Sequence, residues 1–308
     1  MATQTRATRV AVVGATASGK SQLAMAAARE LGDVDLVSVD SMQVYRGMDI
    51  GTAKASQGDR EAVPHHCIDL VEPYEEFTVA RFQHAANLAA DEVEAAARRV
   101  VYVGGTGLYH RAVIDRFDLP GEFPEARAAV RAELERDGLD AAYRRLERAD
   151  PAAAARVEPG NERRIARALE VIDGAGRPFS SFGPGVDHYP ESPTIQVGLR
   201  WSRARLAERI EQRVHAMVDA GLVAEVEGLL AAGLSRTAGH ALGYKELRRH
   251  LEGATSLDAA IDATITRTRQ FATRQDRWFR RDPRVRWVDA EPDPVAAALP
   301  AVLDALRR

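Results

Sequence analysis

The stretch RVAVVGATASGKS, residues 9–21, decides the fold of this chain. Its first part, residues 9–13, is an apolar, β-branched run that ends in Gly14, a pattern typical of a buried strand. A helix is predicted from about Lys20 to Leu31, where Gly32 closes it. The turn between them, residues 14–21, matches G-x-x-x-x-G-K-[ST] at every fixed position. A strand, this turn and a helix in that order predict a phosphate-binding loop (P-loop) at the edge of an α/β sheet.

The residue types of this loop suit the binding of a diphosphate. Glycines let successive backbone N–H groups turn toward an anion, and the helix that follows adds the positive end of its dipole. Lys20 brings a mobile charge to the terminal phosphate, and the hydroxyl of Ser21 can ligate Mg²⁺. The predicted diphosphate-binding residues are Gly14, Ala15, Thr16, Ala17, Ser18, Gly19, Lys20 and Ser21.

Strands and helices alternate on both sides of the loop. This alternation predicts an α/β fold of the P-loop NTPase-like type, with a parallel sheet flanked by helices. Further strands are predicted at residues 36–39, 100–103, 194–199 and 285–288. Helices are predicted at residues 77–98, 203–232 and 257–281, the last capped by Ser256. Residues 116–193 lack strand texture and carry repeated prolines, which predicts a small all-helical domain inserted into a core of residues 1–115 and 194–308.

The composition limits the class of protein. At 308 residues, with 45% hydrophobic and 28% charged residues, the chain is ordinary for a globular protein. It has no apolar run long enough to span a membrane, and Met1 to Arg9 lack the apolar core of a signal peptide. Cys67 is the only cysteine, which excludes intramolecular disulfides. We therefore expect a cytoplasmic protein.

The charge is unevenly distributed along the chain. The net charge of −3 does not indicate a nucleic-acid partner, but eight arginines lie between Arg267 and Arg286 against two acids, Asp276 and Asp282. Such a local excess suits a phosphate-rich partner. Charge alone favours the plainer interpretation, a solvated helix face in an arginine-biased chain, and leaves nucleic-acid binding open.

The P-loop does not say what happens to the phosphates it holds. ATPases and GTPases usually place an acid at the end of another core strand to position Mg²⁺. Here residues 100–103 are followed by Gly104 and Gly105, whereas residues 36–39 are followed by an acid, Asp40. From this reasoning Asp40 is either a metal-positioning residue or a general base, and a P-loop kinase stays an alternative.

Several stretches in a fixed order carry a closer resemblance. They are GATASGKS (14–21), DSMQVYRGMDIGTAK (40–54), PHHCIDL (64–70), VGGTGLY (103–109), RRIARALEV (163–171), RIEQRVHAMVDAG (209–221), ALGYKEL (241–247) and TRQFATRQDRWFR (268–280). Together they resemble the bacterial tRNA dimethylallyltransferase family over nearly the whole chain. A P-loop alone is common, whereas a P-loop followed by the second, fourth and seventh of these stretches is far more specific.

The resemblance implies an activity. Family members transfer the dimethylallyl group of dimethylallyl diphosphate to N6 of the adenine immediately 3′ of the anticodon, position 37, in tRNAs reading codons that begin with U. It also implies Mg²⁺, a monomer, and no membrane partner. The nearest rival is an adenylate isopentenyltransferase acting on free AMP. The helical insertion and the arginine-rich C-terminal helix favour a large RNA substrate.

The resemblance also implies roles for individual residues. Asp40 matches the proposed general base, Thr106 a substrate contact near the reaction centre, and Arg213 an arginine that holds diphosphate beside Lys20. Tyr244 and Trp278 are candidates for stacking on bases, with core packing as the favoured alternative for a lone aromatic residue in a helix. For any one of the arginines, a structural ion pair with a nearby acid such as Glu170 is the alternative. The implied tRNA-binding residues are Asp40, Ser41, Met42, Gln43, Thr106, Arg131, Arg163, Arg164, Arg167, Gly243, Tyr244, Lys245, Arg274 and Arg277.

Some residues need a more cautious interpretation. Adjacent His65, His66 and Cys67 look like metal ligands, but neighbouring side chains diverge and no second cluster exists, so zinc is not expected. The chain departs from the family pattern in the insertion and at its rim. These departures, which affect RNA contacts and not the chemistry, are Arg127, Glu158, Asn161 and Thr273.

Overall fold

A computed structural model describes residues 9–308. Of the segment expected to lack a signal peptide, Met1 to Arg9, all but Arg9 lies outside the described residues. Six strands form one parallel sheet in the order β3-β2-β4-β1-β5-β6. They are β1 (Val10–Gly14), β2 (Val34–Ser38), β3 (His65–His66), β4 (Arg99–Gly104), β5 (Ile195–Arg200) and β6 (Val285–Asp289).

The sheet confirms the predicted α/β class. All five residues of β1 are buried, as expected for a central strand covered on both faces. The predicted strands are found within two residues of their expected bounds, and β3 is a two-residue strand that sequence patterning missed. Because all strands run in parallel, β1, β2 and β4 end at the same edge, and the loops that follow them meet there.

Helices cover both faces of this sheet. Within the described residues, the unit that contains the sheet has nine α-helices: α1 (Lys20–Leu31), α2 (Gln57–Ala62), α3 (Val79–Ala95), α4 (Gly107–Ile114), α9 (Arg203–Asp219), α10 (Leu222–Ala232), α11 (Tyr244–Leu251), α12 (Leu257–Phe279) and α13 (Pro294–Leu306). The intervening segment has four: α5 (Pro124–Asp137), α6 (Leu139–Ala149), α7 (Pro151–Ala154) and α8 (Glu162–Ala175).

One helix prediction is wrong in its extent. Residues 203–232 form two helices, α9 and α10, and not one. Gly221 separates them with a φ of 102°, a left-handed conformation that glycine adopts without steric cost and that ends α9. The start of α12 is as predicted, since the side chain of Ser256 accepts a hydrogen bond from the Ala259 N–H.

The chain divides into two compact units. One runs up to Ile114 and resumes at Glu191–Arg308, and the other is Asp115–Pro190. The second unit is all-helical and has its own apolar core, in which α8 buries Ile165 and Leu169 with Val130 and Leu146 from α5 and α6. A segment that buries its own core is a domain in the physical sense.

Candidate active site

The P-loop connects β1 to α1 and carries a strained backbone. Gly14 and Gly19 have φ values of 145° and 93°, and Ala17 has a φ of 62°. Positive φ is unusual for alanine and is retained only where the surroundings fix it. The first turn of α1 contains no acidic residue, so nothing on the helix neutralises the positive end of its dipole. The loop therefore has the geometry of an anion-binding site.

Lys20 is poised for an incoming anion. Its Nζ donates to the Ala15 carbonyl oxygen at 2.6 Å, across the loop. Burial and, to a lesser extent, the nearby charge of Arg213 lower the pKa of Lys20 to about 7, whereas the charge of Asp40 opposes the shift. So low a pKa means that the surroundings of Lys20 stabilise its charged ammonium form poorly. The negative charge of a bound diphosphate would stabilise that form.

Helix α9 contributes two arginines to the P-loop. Arg209 and Arg213 are four residues apart and therefore share a face of the helix. Arg209 Nε donates to the Ala17 carbonyl at 2.8 Å, and Arg213 Nη1 lies 3.4 Å from the Thr16 hydroxyl. Burial lowers the pKa of Arg213, again with Asp40 opposing. The sequence identified Arg213 but missed Arg209.

Asp40 lies beyond the end of β2 and faces this positive region. Its Oδ1 accepts a hydrogen bond from the Met42 N–H at 2.8 Å, which fixes the carboxylate in a local turn. Because its charge raises the pKa of both Lys20 and Arg213, it lies within electrostatic reach of them. The structure thus brings together three of the four predicted catalytic residues, which come from three different elements.

Thr106, the fourth, follows β4 and joins the Asp40 segment. Its Oγ1 accepts a hydrogen bond from the Ser41 N–H at 3.2 Å. The glycines before it permit close packing, because a Cβ on Gly104 would lie 2.0 Å from the Val39 carbonyl oxygen. The loops after β2 and β4 are therefore locked side by side.

Residues 41–54 are held mainly by side chains that bind backbone groups. Glu225 of α10 accepts hydrogen bonds from three successive N–H groups, those of Asp49, Ile50 and Gly51, at 2.7–3.0 Å. The Lys54 side chain is fully buried and donates to the Tyr45 carbonyl at 2.8 Å and to the carboxylates of Asp49 and Asp69. Neither role was visible in the sequence. Both fix the loop that carries Asp40.

A glutamine of α12 bridges the two glycine-rich loops. The Thr16 N–H donates to Gln275 Oε1 at 2.8 Å, and Gln275 Nε2 donates to the Gly105 carbonyl at 2.8 Å. The Thr16 N–H therefore already has a side-chain partner, and diphosphate binding by residues 14–21 stays a prediction. Gln275 lies inside a stretch that the sequence singled out, but nothing in the pattern distinguished it from its neighbours.

Two of the residues implied to touch tRNA have side chains that are hydrogen-bonded to other parts of the protein. The Tyr244 ring is 1% exposed, packs against Gly51 and donates its hydroxyl to Glu225 at 2.6 Å, so it has no face to offer to a base. Gln43 accepts from the Ser38 hydroxyl and donates to the Thr52 carbonyl. Tyr244 was predicted to contact tRNA, and its burial assigns it to core packing instead.

Four further residues suggested for RNA contact differ in how far they are buried: Gly243, Lys245, Trp278 and Met42. Gly243 is buried, has a φ of 88° and begins α11, while Lys245 is partly exposed. Trp278, which the sequence suggested for stacking on bases, is half-buried and packs on Gly107. Met42 is partly buried against the hydrophobic core. RNA contact by the partly exposed Lys245, Trp278 and Met42 stays a prediction, whereas the burial of Gly243 argues against contact there.

The arginines separate into two groups. Arg167 and Arg127 both pair with the buried Glu170 within the helical unit, and Arg167 also donates to the Pro120 and Gly121 carbonyls. These contacts support the interpretation of structural ion pairs for Arg167. Of the arginines implied to touch tRNA, those with exposed side chains are Arg131 on α5, Arg163 and Arg164 on α8, and Arg274 and Arg277 on α12.

The donor groups present fit a metal that is shared with a phosphate ligand. Within residues 9–308, no group of three or more His, Cys, Asp or Glu side chains could hold a metal ion. The exposed Ser21 hydroxyl lies in the first turn of α1. Mg²⁺ at phosphate sites commonly takes most of its ligands from phosphate oxygens and water, with one or two from the protein. A hydroxyl beside an anion-binding loop suits that arrangement.

The His-His-Cys stretch has other partners. His65 Nδ1 lies 2.7 Å from the Val63 carbonyl oxygen, and His66 Nε2 lies 2.8 Å from the Asp35 carboxylate. Cys67 is buried, and burial raises its pKa to about 12, so the thiolate that a metal needs is disfavoured.

Comparison with known proteins gives matches along most of the chain. The family model described as IPP transferase matches residues 43–282. A tRNA dimethylallyltransferase from Salinispora arenicola is 50% identical over 303 residues, which cover 97% of this chain and 88% of that protein. One from Thermobifida fusca is 46% identical over 304 residues, covering 96% and 95%.

Solved structures match as well. A tRNA isopentenylpyrophosphate transferase from Bacillus halodurans has a TM-score of 0.70 and 37% identity, and 97% of each chain is covered. A eukaryotic dimethylallyltransferase acting on tRNA has a TM-score of 0.76 and 26% identity, covering 92% of this chain and 74% of that one. Both the family model and the relatives extend over well more than half of the chain. This chain belongs to the IPP transferase family.

Proposed function

We propose that this protein is a tRNA dimethylallyltransferase, which moves the five-carbon group of dimethylallyl diphosphate to N6 of adenine 37, immediately 3′ of the anticodon. The observation that carries the proposal is the meeting of Asp40 with Lys20 and Arg213 at one edge of the sheet. A carboxylate facing a positive anion site places a proton acceptor beside a leaving-group site. The names of the relatives at 45–50% identity support the same activity.

The amine half of the site would act through Asp40. An adenine N6 is a poor nucleophile because its lone pair is delocalised into the ring. It needs an acceptor that removes a proton as the new C–N bond forms. Asp40 Oδ1 accepts the hydrogen bond from the Met42 N–H, which leaves the second oxygen, Oδ2, for the substrate. Thr106 would help to position the base.

The leaving-group half would act through the P-loop. As the bond between the allylic carbon and oxygen breaks, negative charge grows on the departing diphosphate. Lys20, Arg213 and the loop N–H groups would stabilise that charge, and each such donor is worth about 10²–10³ in rate. Mg²⁺ held by Ser21 would, when bound, neutralise further charge on the same oxygens. The P-loop would thus hold the leaving group.

The substrate base must leave its stack to reach this edge of the sheet. Unstacking costs least in single-stranded loops, which favours an anticodon loop as the substrate. We propose that the exposed arginines of the two units, Arg131, Arg163, Arg164, Arg274 and Arg277, contact the RNA backbone. We further propose that the substrates are tRNAs reading codons that begin with U and that the enzyme is a monomer. Of the described residues 9–308, none belongs to a helix long and apolar enough to cross a membrane.

A comparison of three acceptors, each in a separate reaction, tests the proposal. The protein is incubated with labelled dimethylallyl diphosphate, Mg²⁺ and one of three acceptors: unmodified tRNA, AMP or adenosine. We expect label in tRNA alone, and a tRNA with guanine at position 37 serves as the matched control. Label in AMP but not in tRNA would instead assign the protein to the free-nucleotide class.

A further inference from the structure

The Gln275 carboxamide joins the two loops that follow the neighbouring strands β1 and β4. Gln275 is 6% exposed, near the middle of the C-terminal half of α12. Its oxygen accepts from the Thr16 N–H in the P-loop, and its nitrogen donates to the Gly105 carbonyl after β4. Both bonds are 2.8 Å long, and both partners are backbone groups. The last register pair of these strands is Val13 with Gly104, so the carboxamide links the two loops directly beyond the paired strands.

Each end of this bridge leads to one half of the proposed site. On one side, the Thr16 hydroxyl contacts Arg213, which belongs to the leaving-group half. On the other side, Gly105 precedes Thr106, whose hydroxyl accepts from the N–H of Ser41, the residue after Asp40. The bridge thus lies between the groups that would hold the departing diphosphate and those that would hold the amine.

The fit around the carboxamide is tight and needs this residue type. A Cβ on Gly105 would lie 2.3 Å from Gln275 Nε2, so the loop approaches only because residue 105 is a glycine. Glutamine both donates and accepts through one planar group, whereas glutamate at neutral pH only accepts and methionine does neither. An asparagine side chain is one carbon shorter.

We propose that Gln275 is a positioning residue that fixes the distance between the leaving-group half and the amine half of the site. This inference rests on the proposed function, because it assigns Gln275 a part in alkyl transfer. Misplacing two reacting groups by about 1 Å costs about 10²-fold in rate, while each substrate still finds its own half intact. The loss therefore falls on the chemical step and not on the binding of either substrate.

The test separates rate from binding in the full-length protein. For Gln275→Met, which keeps the length but removes both hydrogen bonds, we expect the single-turnover rate at saturating substrates to fall about 10²-fold. The Kd for inorganic pyrophosphate, measured by calorimetry, should stay within about threefold of wild type, since Lys20 and Arg213 remain. Gln270→Met, at an exposed position on the same helix, is the matched control and should match wild type in both measurements.

A double-mutant cycle tests the bridge itself. Gly105→Ala pushes the carboxamide away from the other side, so Gln275→Met should add little further loss in that background. If Gln275→Met does not fold, the same test is made with Gln275→Glu. This variant keeps the hydrogen bond from the Thr16 N–H and loses only the hydrogen bond to the Gly105 carbonyl. We expect at least a tenfold lower single-turnover rate for that variant.

The possible outcomes distinguish this inference from the proposed function. A wild-type protein that alkylates no tRNA contradicts the proposed function before any variant is compared. A wild-type protein that is active, with Gln275 variants of equal single-turnover rate, overturns the bridge alone. A Gln275→Met variant whose defect lies wholly in the Kd for pyrophosphate, or whose loss adds fully to that of Gly105→Ala, also overturns it.

Discussion

The P-loop and the paired loops after β2 and β4 lie at the same edge of the sheet but are built differently. The P-loop has positive φ at Gly14, Ala17 and Gly19, a backbone shape that its motif encodes, and Gln275 and Arg209 bind backbone groups of that preformed shape. In the β4 loop, Gly104 and Gly105 have no positive φ and serve to let other atoms approach.

The support of the two regions differs in the same way. The Asp40 loop is held by Glu225, 174–176 residues away from the N–H groups that it accepts from, and by the buried Lys54 with its carboxylate partners Asp49 and Asp69. Anion binding demands a particular backbone, which a local motif can encode. Positioning a base demands contacts from outside the loop, which no local motif records. The two regions should therefore fail in different ways when they are mutated.

The largest expected effect is on the amine half. Asp40→Asn keeps the side-chain oxygen that accepts the Met42 N–H but removes the proton acceptor. We expect the single-turnover alkylation rate to fall by about 10²–10⁴. Binding of tRNA, measured by fluorescence anisotropy, should change little. Wild-type activity in this variant would exclude Asp40 as the base.

The leaving-group half should lose binding as well as rate. Lys20→Met removes the mobile charge of the P-loop, and we expect about a 10²–10³-fold loss in kcat/KM for dimethylallyl diphosphate. The Kd for pyrophosphate should rise in calorimetry, unlike in Asp40→Asn. A Lys20→Met variant that binds pyrophosphate as tightly as wild type would remove the contrast between the two regions.

The packing role of Gly104 is tested by stability measurements. Gly104→Ala puts a Cβ 2.0 Å from a backbone oxygen that cannot rotate away, and overpacking of this kind costs about 3 kcal/mol in the free energy of unfolding. Gly228→Ala in α10 is the control, because no atom lies within 4 Å of the new Cβ, and it should stabilise by about 0.5–1 kcal/mol. Urea denaturation measures both, and equal values would refute a packing role for Gly104.

The smallest effect is a proton taken up when the anion binds. The pKa of Lys20 is lowered to about 7 by burial, so at pH 8 the free amine is mostly neutral. A bound diphosphate raises that pKa, so binding takes up a proton and weakens as the pH rises above 7. Calorimetry of pyrophosphate binding in buffers of different ionisation enthalpy counts this proton.

Lys20→Arg is the matched control for that measurement. A guanidinium stays charged at every pH of interest, so the variant should take up nearly one proton fewer at pH 8. Equal proton uptake by the two proteins would mean that Lys20 is already charged before the anion binds.

Much of the fold and part of the site could be predicted from the sequence. Strand texture and the P-loop motif are local, so β1 and α1 were located to within a residue. The helix break at Gly221 was missed because an isolated glycine in an apolar-periodic stretch does not reveal its φ. Glu225 and Gln275 were missed because their partners are backbone groups of loops 170 or more residues away. Tyr244 was misassigned because a motif identifies a residue without its burial.

The central claim is that the P-loop holds a leaving group and not a phosphoryl donor. The most direct test counts the phosphorus products of the reaction with unmodified tRNA and dimethylallyl diphosphate, alongside the alkylated adenosine. One pyrophosphate released per alkyl group transferred, with no reaction when ATP replaces dimethylallyl diphosphate, is the predicted result. Release of orthophosphate, or transfer of phosphate from ATP to an acceptor, would contradict the claim.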